Sequence, residues 1–287
     1  MRVLVGVEDT EGARTALRWA AGFAQASGAS LTVAEAWQYP SVPIFADERD
    51  YAGVETMDER AVESARSIVS SVLGEAALDT AGLDIEYRAL RGPAATAIRQ
   101  AAAESRTDLI VVGARSASPL DRRLLGSVSR SVAEDATCPV AVVPADLADT
   151  DGPIVVGVDG SEHARRALDW AAGAAKLSGS EVVLVHGFGP YGAELPPEAL
   201  ADDKEHGEHL VAEYRDLLEA QGVAHRSVVR VHDARSLLER VGEEEGARMV
   251  VVGARGTGKL AAMLLGSVAS YLVLNLKRPT VIVHRER

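Results

Sequence analysis

The chain repeats itself from end to end. Val3-Leu4-Val5-Gly6-Val7-Glu8-Asp9-Thr10 is matched by Ile154-Val155-Val156-Gly157-Val158-Asp159-Gly160-Ser161. Ala16-Leu17-Arg18-Trp19-Ala20-Ala21-Gly22 is matched by Ala167-Leu168-Asp169-Trp170-Ala171-Ala172-Gly173, and Cys138-Pro139-Val140-Ala141-Val142-Val143 by Arg278-Pro279-Thr280-Val281-Ile282-Val283. A repeat of roughly 140 residues is a whole domain by size, so the chain is a tandem pair and not a solenoid of short units. The stretch Pro144 to Pro153, with three Asp beside Ala, Thr and Gly, has linker composition. It sets expected boundaries at 1–146 for the first domain, 147–152 for the linker and 153–287 for the second domain.

In the first half, short β-branched runs at 3–7, 30–36, 84–90, 109–112 and 140–143 alternate with longer helical patterns. Ala13, Ala16, Leu17, Ala20 and Ala21 form an apolar stripe, with Thr10 placed to cap its start and Gly28 to stop it. Strands separated by helices imply right-handed βαβ units and a parallel sheet covered on both faces. The near-continuous apolar runs Leu109-Ile110-Val111-Val112 and Met249-Val250-Val251-Val252 suit strands buried on both sides. The Pro- and acid-rich segments 39–56 and 189–203 differ in length between the halves and read as loops or lids.

Composition narrows the partners. At 47% hydrophobic and 25% charged residues, each half can bury a core. The formal charge of −12 repels nucleic acid and anionic membrane, and no basic patch overrides it. No apolar run approaches the ~18–20 residues that span a bilayer, and the N-terminus has no signal-peptide pattern. The single cysteine, Cys138, reads as a small core hydrophobe, and one thiol suits a reducing cytoplasm.

The chemistry lies in spaced small residues after two apolar runs. Val252-Gly253 leads through two residues to Gly256, then nine residues to Gly266-Ser267-Val268. In the first half Val112-Gly113 leads to Ser116, then to Gly126-Ser127-Val128-Ser129. A strand entering a glycine loop and then a helix gathers unpaired backbone N–H groups and a hydroxyl around one point, which makes an anion cradle.

Together with Gly157-Val158-Asp159-Gly160-Ser161 and Leu184-Val185-His186, the Gly253-x2-Gly256-x9-Gly266-Ser267 set resembles the universal stress protein family in its tandem, ATP-binding form. The resemblance covers nearly all of both halves. It implies two α/β, Rossmann-like domains of the adenine nucleotide alpha hydrolase-like type, each a five-stranded parallel sheet flanked by helices. It also implies ATP, with or without Mg²⁺, as ligand. Carried over residue by residue, Gly157, Val158 and Asp159 lie against the adenosine, and the backbone of Gly187 reads the adenine edge. Val252, Gly253 and Gly256 then approach the ribose and phosphates, and Gly266, Ser267 and Val268 open the phosphate-binding helix. Ala269 stands where the family usually has Ser or Thr, which implies one phosphate contact fewer. In the first half the corresponding residues are Gly6, Val7, Glu8, Ala36, Val112, Gly113, Gly126, Ser127, Val128 and Ser129. Here Glu8 replaces the aspartate and Ser116 the second glycine, with Asp9 as a possible substitute carboxylate, so nucleotide binding is expected chiefly of the second half.

Two other motifs compete. Gly253-Ala254-Arg255-Gly256-Thr257-Gly258-Lys259-Leu260 fits a P-loop except that Leu260 cannot ligate Mg²⁺. Gly187-Phe188-Gly189-Pro190-Tyr191-Gly192 fits a dinucleotide fingerprint, but no helix opens after it. His206 and His209, with Asp202, Asp203, Glu205 and Glu208, read as a solvated helix face rather than a metal site, and His186 as a pocket or core residue. Arg115, Arg255 and Lys259 are candidates to close over phosphate. The expectation is a cytoplasmic nucleotide-binding sensor or regulator, with a non-nucleotide scaffold bearing vestigial pockets, or a slow ATPase, as alternatives. The resemblance further implies pairing of the terminal strands of the two halves as an intramolecular pseudo-dimer, and a homodimer of chains.

Overall fold

A computed structural model describes residues 1–38, 52–76, 82–114, 126–147, 151–188, 197–257, 265–275 and 277–284, with the side chains of 52–55 and 197–203 outside that description. The chain divides into two compact units, Met1–Asp146 and Leu147–Arg287. The first unit runs β1 (Arg2–Val7), α1 (Glu11–Ser27), β2 (Ser30–Trp37), α2 (Ala52–Glu75), β3 (Ile85–Arg91), α3 (Ala94–Glu104), β4 (Leu109–Gly113), α4 (Ser127–Asp135), β5 (Val140–Val143). The second repeats it as β6 (Ile154–Gly157), α5 (Glu162–Ser178), β7 (Val182–Phe188), α6 (Pro197–Ala220), β8 (His225–Val231), α7 (Ala234–Glu244), β9 (Met249–Gly253), α8 (Ser267–Leu274), β10 (Thr280–Val283).

Strand order is β3-β2-β1-β4-β5 in the first unit and β8-β7-β6-β9-β10 in the second. The pairs given by register are parallel: Val3 faces Leu31 and Leu109, and Ile154 faces Val182 and Met249. The chain therefore winds outward on one side of the first strand and then crosses to the other. At that reversal the carboxyl ends of the two central strands, β1 and β4 or β6 and β9, open a crevice.

The same local rules start and stop the first helix of each unit. Thr10 caps α1 by accepting from Ala13 N at 3.4 Å, and Ser161 caps α5 by accepting from Ala164 N at 3.1 Å. Gly28 and Gly179 end these helices in the left-handed conformation, with φ of 64° and 67°. The faces these helices turn inward are almost all alanine and leucine. Ala16, Leu17, Ala20 and Ala21 are fully buried in the first unit, and Ala167, Leu168, Ala171 and Ala172 in the second. Leu4, Leu109 and Ile110 fill the first sheet's core, and Ile154, Leu184 and Ile282 the second's. Each such side chain contributes roughly 1.5–3 kcal/mol by burial.

Three local features stand beside the sequence reading. Helices α2 and α6 begin at Ala52 and Pro197, inside the segments expected to be loops; the rest of those segments, 39–51 and 189–196, lies outside the described residues. Gly152, at the end of the expected linker, packs so closely on the second unit that a Cβ there would meet Gly246 O at 2.0 Å. Cys138 is half-buried rather than enclosed in the core. Burial still pushes its thiol up to about 11, with Asp108 adding to the shift.

An ionic clamp fastens α2 to the sheet of the first unit. Asp58 accepts Trp37 Nε1–H at 2.8 Å and Arg91 Nε–H at 3.0 Å. The Arg91 hydrogen bond, foremost, holds the Asp58 carboxyl below the ordinary carboxylate value. Among the described residues no helix is long and apolar enough to cross a membrane.

Candidate functional site

The crevice of the second unit holds a cavity of about 310 Å³, within the range of small-molecule sites. Its walls bring together Gly157, Val158 and Asp159 from the end of β6, Val252 and Gly253 from β9, Gly256 beyond it, and Gly266, Ser267, Val268 and Ala269 at the start of α8. Gly187 is not part of the wall. The side of its backbone where a Cβ would project is closed by His232 O at 2.7 Å and Ala234 Cα at 2.9 Å. Ala234 and Leu238 of α7, Val185 of β7, Ala164, Arg255 and Thr257 complete the lining. Of these, the sequence singles out Arg255 as a candidate to close over phosphate and places Val185 and Thr257 within motifs; Ala164, Ala234 and Leu238 are unmarked.

The two helices that open onto the cavity differ in polarity. α8 is capped by Gly266, which supplies no side-chain acceptor, so the first-turn N–H groups face the crevice with the positive end of the helix. α7 is capped by its own carboxylate: Asp233 accepts from Arg235 N at 3.1 Å and Ser236 N at 3.4 Å. Asp233 is also forked by the Arg235 guanidinium at 2.9 and 3.0 Å, which holds its carboxyl below the ordinary value. An anion is therefore favoured at the α8 end, and the α7 end presents Ala234 and Leu238 to an apolar group.

The motif glycines answer to neighbours within the chain. A Cβ on Gly253 would lie 2.6 Å from His163 Cβ and 2.7 Å from its carbonyl carbon, in the first turn of α5. On Gly256 it would lie 2.3 Å from Asp159 Oδ2, and on Gly157 2.9 Å from Leu238 Cδ1. The loop itself is folded back by Gly266 N donating to Ala254 O at 2.8 Å. Asp159 accepts from Ser161 N at 3.0 Å and from Thr257 N at 3.1 Å.

The crevice of the first unit is smaller, about 90 Å³, and is lined by Gly6, Val7, Glu8, Ala36, Val112, Gly113, Val128 and Ser129 among others. Gly126 and Ser127, at the N-terminus of α4, do not line it. Ser129 turns its hydroxyl inward, donating to Gly113 O at 2.6 Å. Ala269, its counterpart in the second unit, has no hydroxyl to make the corresponding tie between helix and strand. Asp9 does not line this crevice; its side chain is 84% exposed and lies 3.7 Å from Arg14. Glu8 is exposed and accepts the Thr10 hydroxyl at 3.3 Å. Nearby, burial raises the Glu35 carboxyl above its ordinary value, with Ser64 opposing and Asp9 and Glu8 adding to the rise.

His186 is a packing residue. Its Nδ1 lies 2.8 Å from Val158 O, and its ring covers Gly207, whose Cβ would meet it at 3.0 Å. His206 and His209 are exposed on α6, and no group of three or more His, Cys, Asp or Glu among the described residues is arranged to hold a metal. Arg115, Ser116, Gly189 to Gly192, Gly258, Lys259 and Leu260 lie outside the described residues.

Two doubly wound parallel sheets, each with a crevice at the carboxyl ends of its central strands, define a tandem Rossmann-like α/β protein. The Universal stress protein family model matches residues 1–144 and again 152–284, and the chain belongs to that family. A universal stress protein of Mycolicibacterium smegmatis is 32% identical over 98% of this chain and 96% of its own length. One from Mycobacterium tuberculosis is 30% identical over 99% of this chain and 96% of its own. A universal stress protein of Archaeoglobus fulgidus has the same fold, with a TM-score of 0.66 at 22% identity over 99% of this chain and 98% of that one.

Proposed function

We propose that the second unit binds an adenine nucleotide, ATP with or without Mg²⁺, and that the chain serves in the cytoplasm as a nucleotide-dependent stress-response regulator rather than an enzyme. The observation that carries this reading is the cavity of about 310 Å³ with the bare N-terminus of α8 at one end and the apolar Ala234 and Leu238 at the other. That polarity suits a molecule with a polyphosphate and a flat aromatic base. Gly266, Ser267 and Val268 would hold phosphate through backbone N–H groups, and Asp159 would accept a hydroxyl or amine. Mg²⁺ would ride on the phosphates, since Asp159 is the one carboxylate among the described lining residues. Both Asp159 oxygens already accept backbone N–H groups, which ill suits a general base, and turnover should accordingly be slow.

The first unit reads differently. Its cavity of about 90 Å³ and the inward-turned Ser129 favour a scaffold role for that half. In the same proposal two chains associate, which light scattering tests.

Calorimetric titration with Mg·ATP should give one site per chain. Ala234→Leu, filling the second cavity, should abolish it, and Ala94→Leu, the matching change in the first unit, should leave it. Nucleotide released on denaturation is assayed alongside, because a co-purified ligand would mask binding. No heat together with no released nucleotide refutes the reading; binding that survives Ala234→Leu but not Ala94→Leu moves the site to the first unit.

A further inference from the structure

The carboxylate of Asp159 joins two segments nearly a hundred residues apart in sequence. Oδ1 accepts from Ser161 N at 3.0 Å, fixing the turn after β6, and Oδ2 accepts from Thr257 N at 3.1 Å, in the loop after β9. Between the two, Gly256 presses against the same carboxylate, so that a Cβ would sit 2.3 Å from Oδ2. We propose that Asp159 is a positioning residue that fastens the glycine loop, and that position 256 is glycine because of this carboxylate rather than because of a ligand.

The duplication contains its own comparison. In the first half the aspartate is Glu8 and the second glycine is Ser116. Glu8, one methylene longer, is exposed and accepts the Thr10 hydroxyl two residues away at 3.3 Å. The two departures of the first half occur together in sequence, as expected if aspartate and second glycine form one pair. The fastener also shapes the cavity, since Asp159, Gly256 and Thr257 all line it.

Because the fastening exists in the ligand-free chain, it is tested without nucleotide, and its failure is separate from failure of the binding reading. Hydrogen exchange at the Thr257 amide, followed by NMR on the full chain, should accelerate roughly tenfold or more in Asp159→Ala, as expected for losing a hydrogen bond to a charged acceptor. Asp159→Asn, which keeps one acceptor oxygen and the shape, serves if the alanine variant folds poorly, and should also accelerate exchange. Gly256→Ala should loosen the loop in the wild-type background and have no further effect on Thr257 exchange or thermal midpoint in the Asp159→Ala background. Wild-type exchange at Thr257 as fast as in both Asp159 variants overturns the proposal. So does a Gly256→Ala cost that is equal in the two backgrounds, because the clash would then lie with something other than the carboxylate.

Discussion

Two glycine-to-alanine changes in the second unit should move its stability in opposite directions. At Gly253 the new methyl would lie 2.6 Å from His163 Cβ, 2.7 Å from its carbonyl carbon and 2.9 Å from its oxygen. Carbon atoms rest at about 3.5–4.0 Å, so the end of β9 and the first turn of α5 would have to part by about 1 Å. That turn is pinned by the Ser161 cap and by Ala164, which is 3% exposed, so it yields poorly. Overpacking of this kind costs about 1–3 kcal/mol. Gly173 lies on the exposed side of α5 with nothing within 4 Å of its Cβ position, and alanine there should stabilise by about 0.5–1 kcal/mol through helix propensity. For a unit of this size the gap between the variants corresponds to on the order of 5–15 °C in midpoint. Thermal unfolding followed by Trp170 fluorescence, in a background with Trp19 and Trp37 replaced by Phe, reads the second unit alone. If Gly253→Ala were as stable as its parent, the packing account of the motif's first glycine would be wrong, leaving a ligand as the reason for it.

Asp58→Asn should destabilise the first unit at pH 7. Since the folded carboxyl sits below its ordinary 3.8, the contribution is fully present above that value and is lost as pH falls from it through the lower folded value, so the gap in urea midpoint between wild type and variant should narrow as pH is lowered below 3.8. Asp233→Ala removes the cap of α7 and should cost about 1 kcal/mol by urea denaturation; an unchanged midpoint would mean that solvent replaces the cap. Cys138, with its thiol pushed up to about 11, should react with a disulfide reagent at pH 8 far more slowly in the native chain than in urea. Equal rates in both would show that the thiol is not desolvated.

The sheet strands were legible because burial on both faces demands unbroken apolar runs: 109–112 and 140–143 are β4 and β5 to within a residue. Thr10 and Gly28 marked the ends of α1 because their roles, a side-chain acceptor and a left-handed residue, are local. The starts of α2 and α6 were hidden in Pro- and acid-rich sequence, where composition suggests a loop but does not forbid a first helical turn. The glycine spacing located the crevice, yet spacing cannot say what a Cβ would strike. His163 lies some ninety positions from Gly253 and Asp159 close to a hundred from Gly256, and only the fold brings them together. Ala234 and Leu238 were unmarked for the same reason: a helical stripe says which face is inward, not which part of that face overlooks a cavity. The inward turn of Ser129 was equally unreadable, because a serine opening a helix looks the same whether its hydroxyl points to solvent or to Gly113.

The walls of the larger cavity draw on β6, β7 and β9 and on α5, α7 and α8. Most of the second half must therefore be folded before any part of the cavity exists. A fragment of that half would lack part of the lining, and a guest bound as proposed would oppose partial opening of the unit, from fraying of α8 to detachment of α7. Occupancy and resistance to opening would then be linked in that half. A protease would then report ligand concentration as faithfully as a binding assay, through the lifetime of residues 153–284 alone.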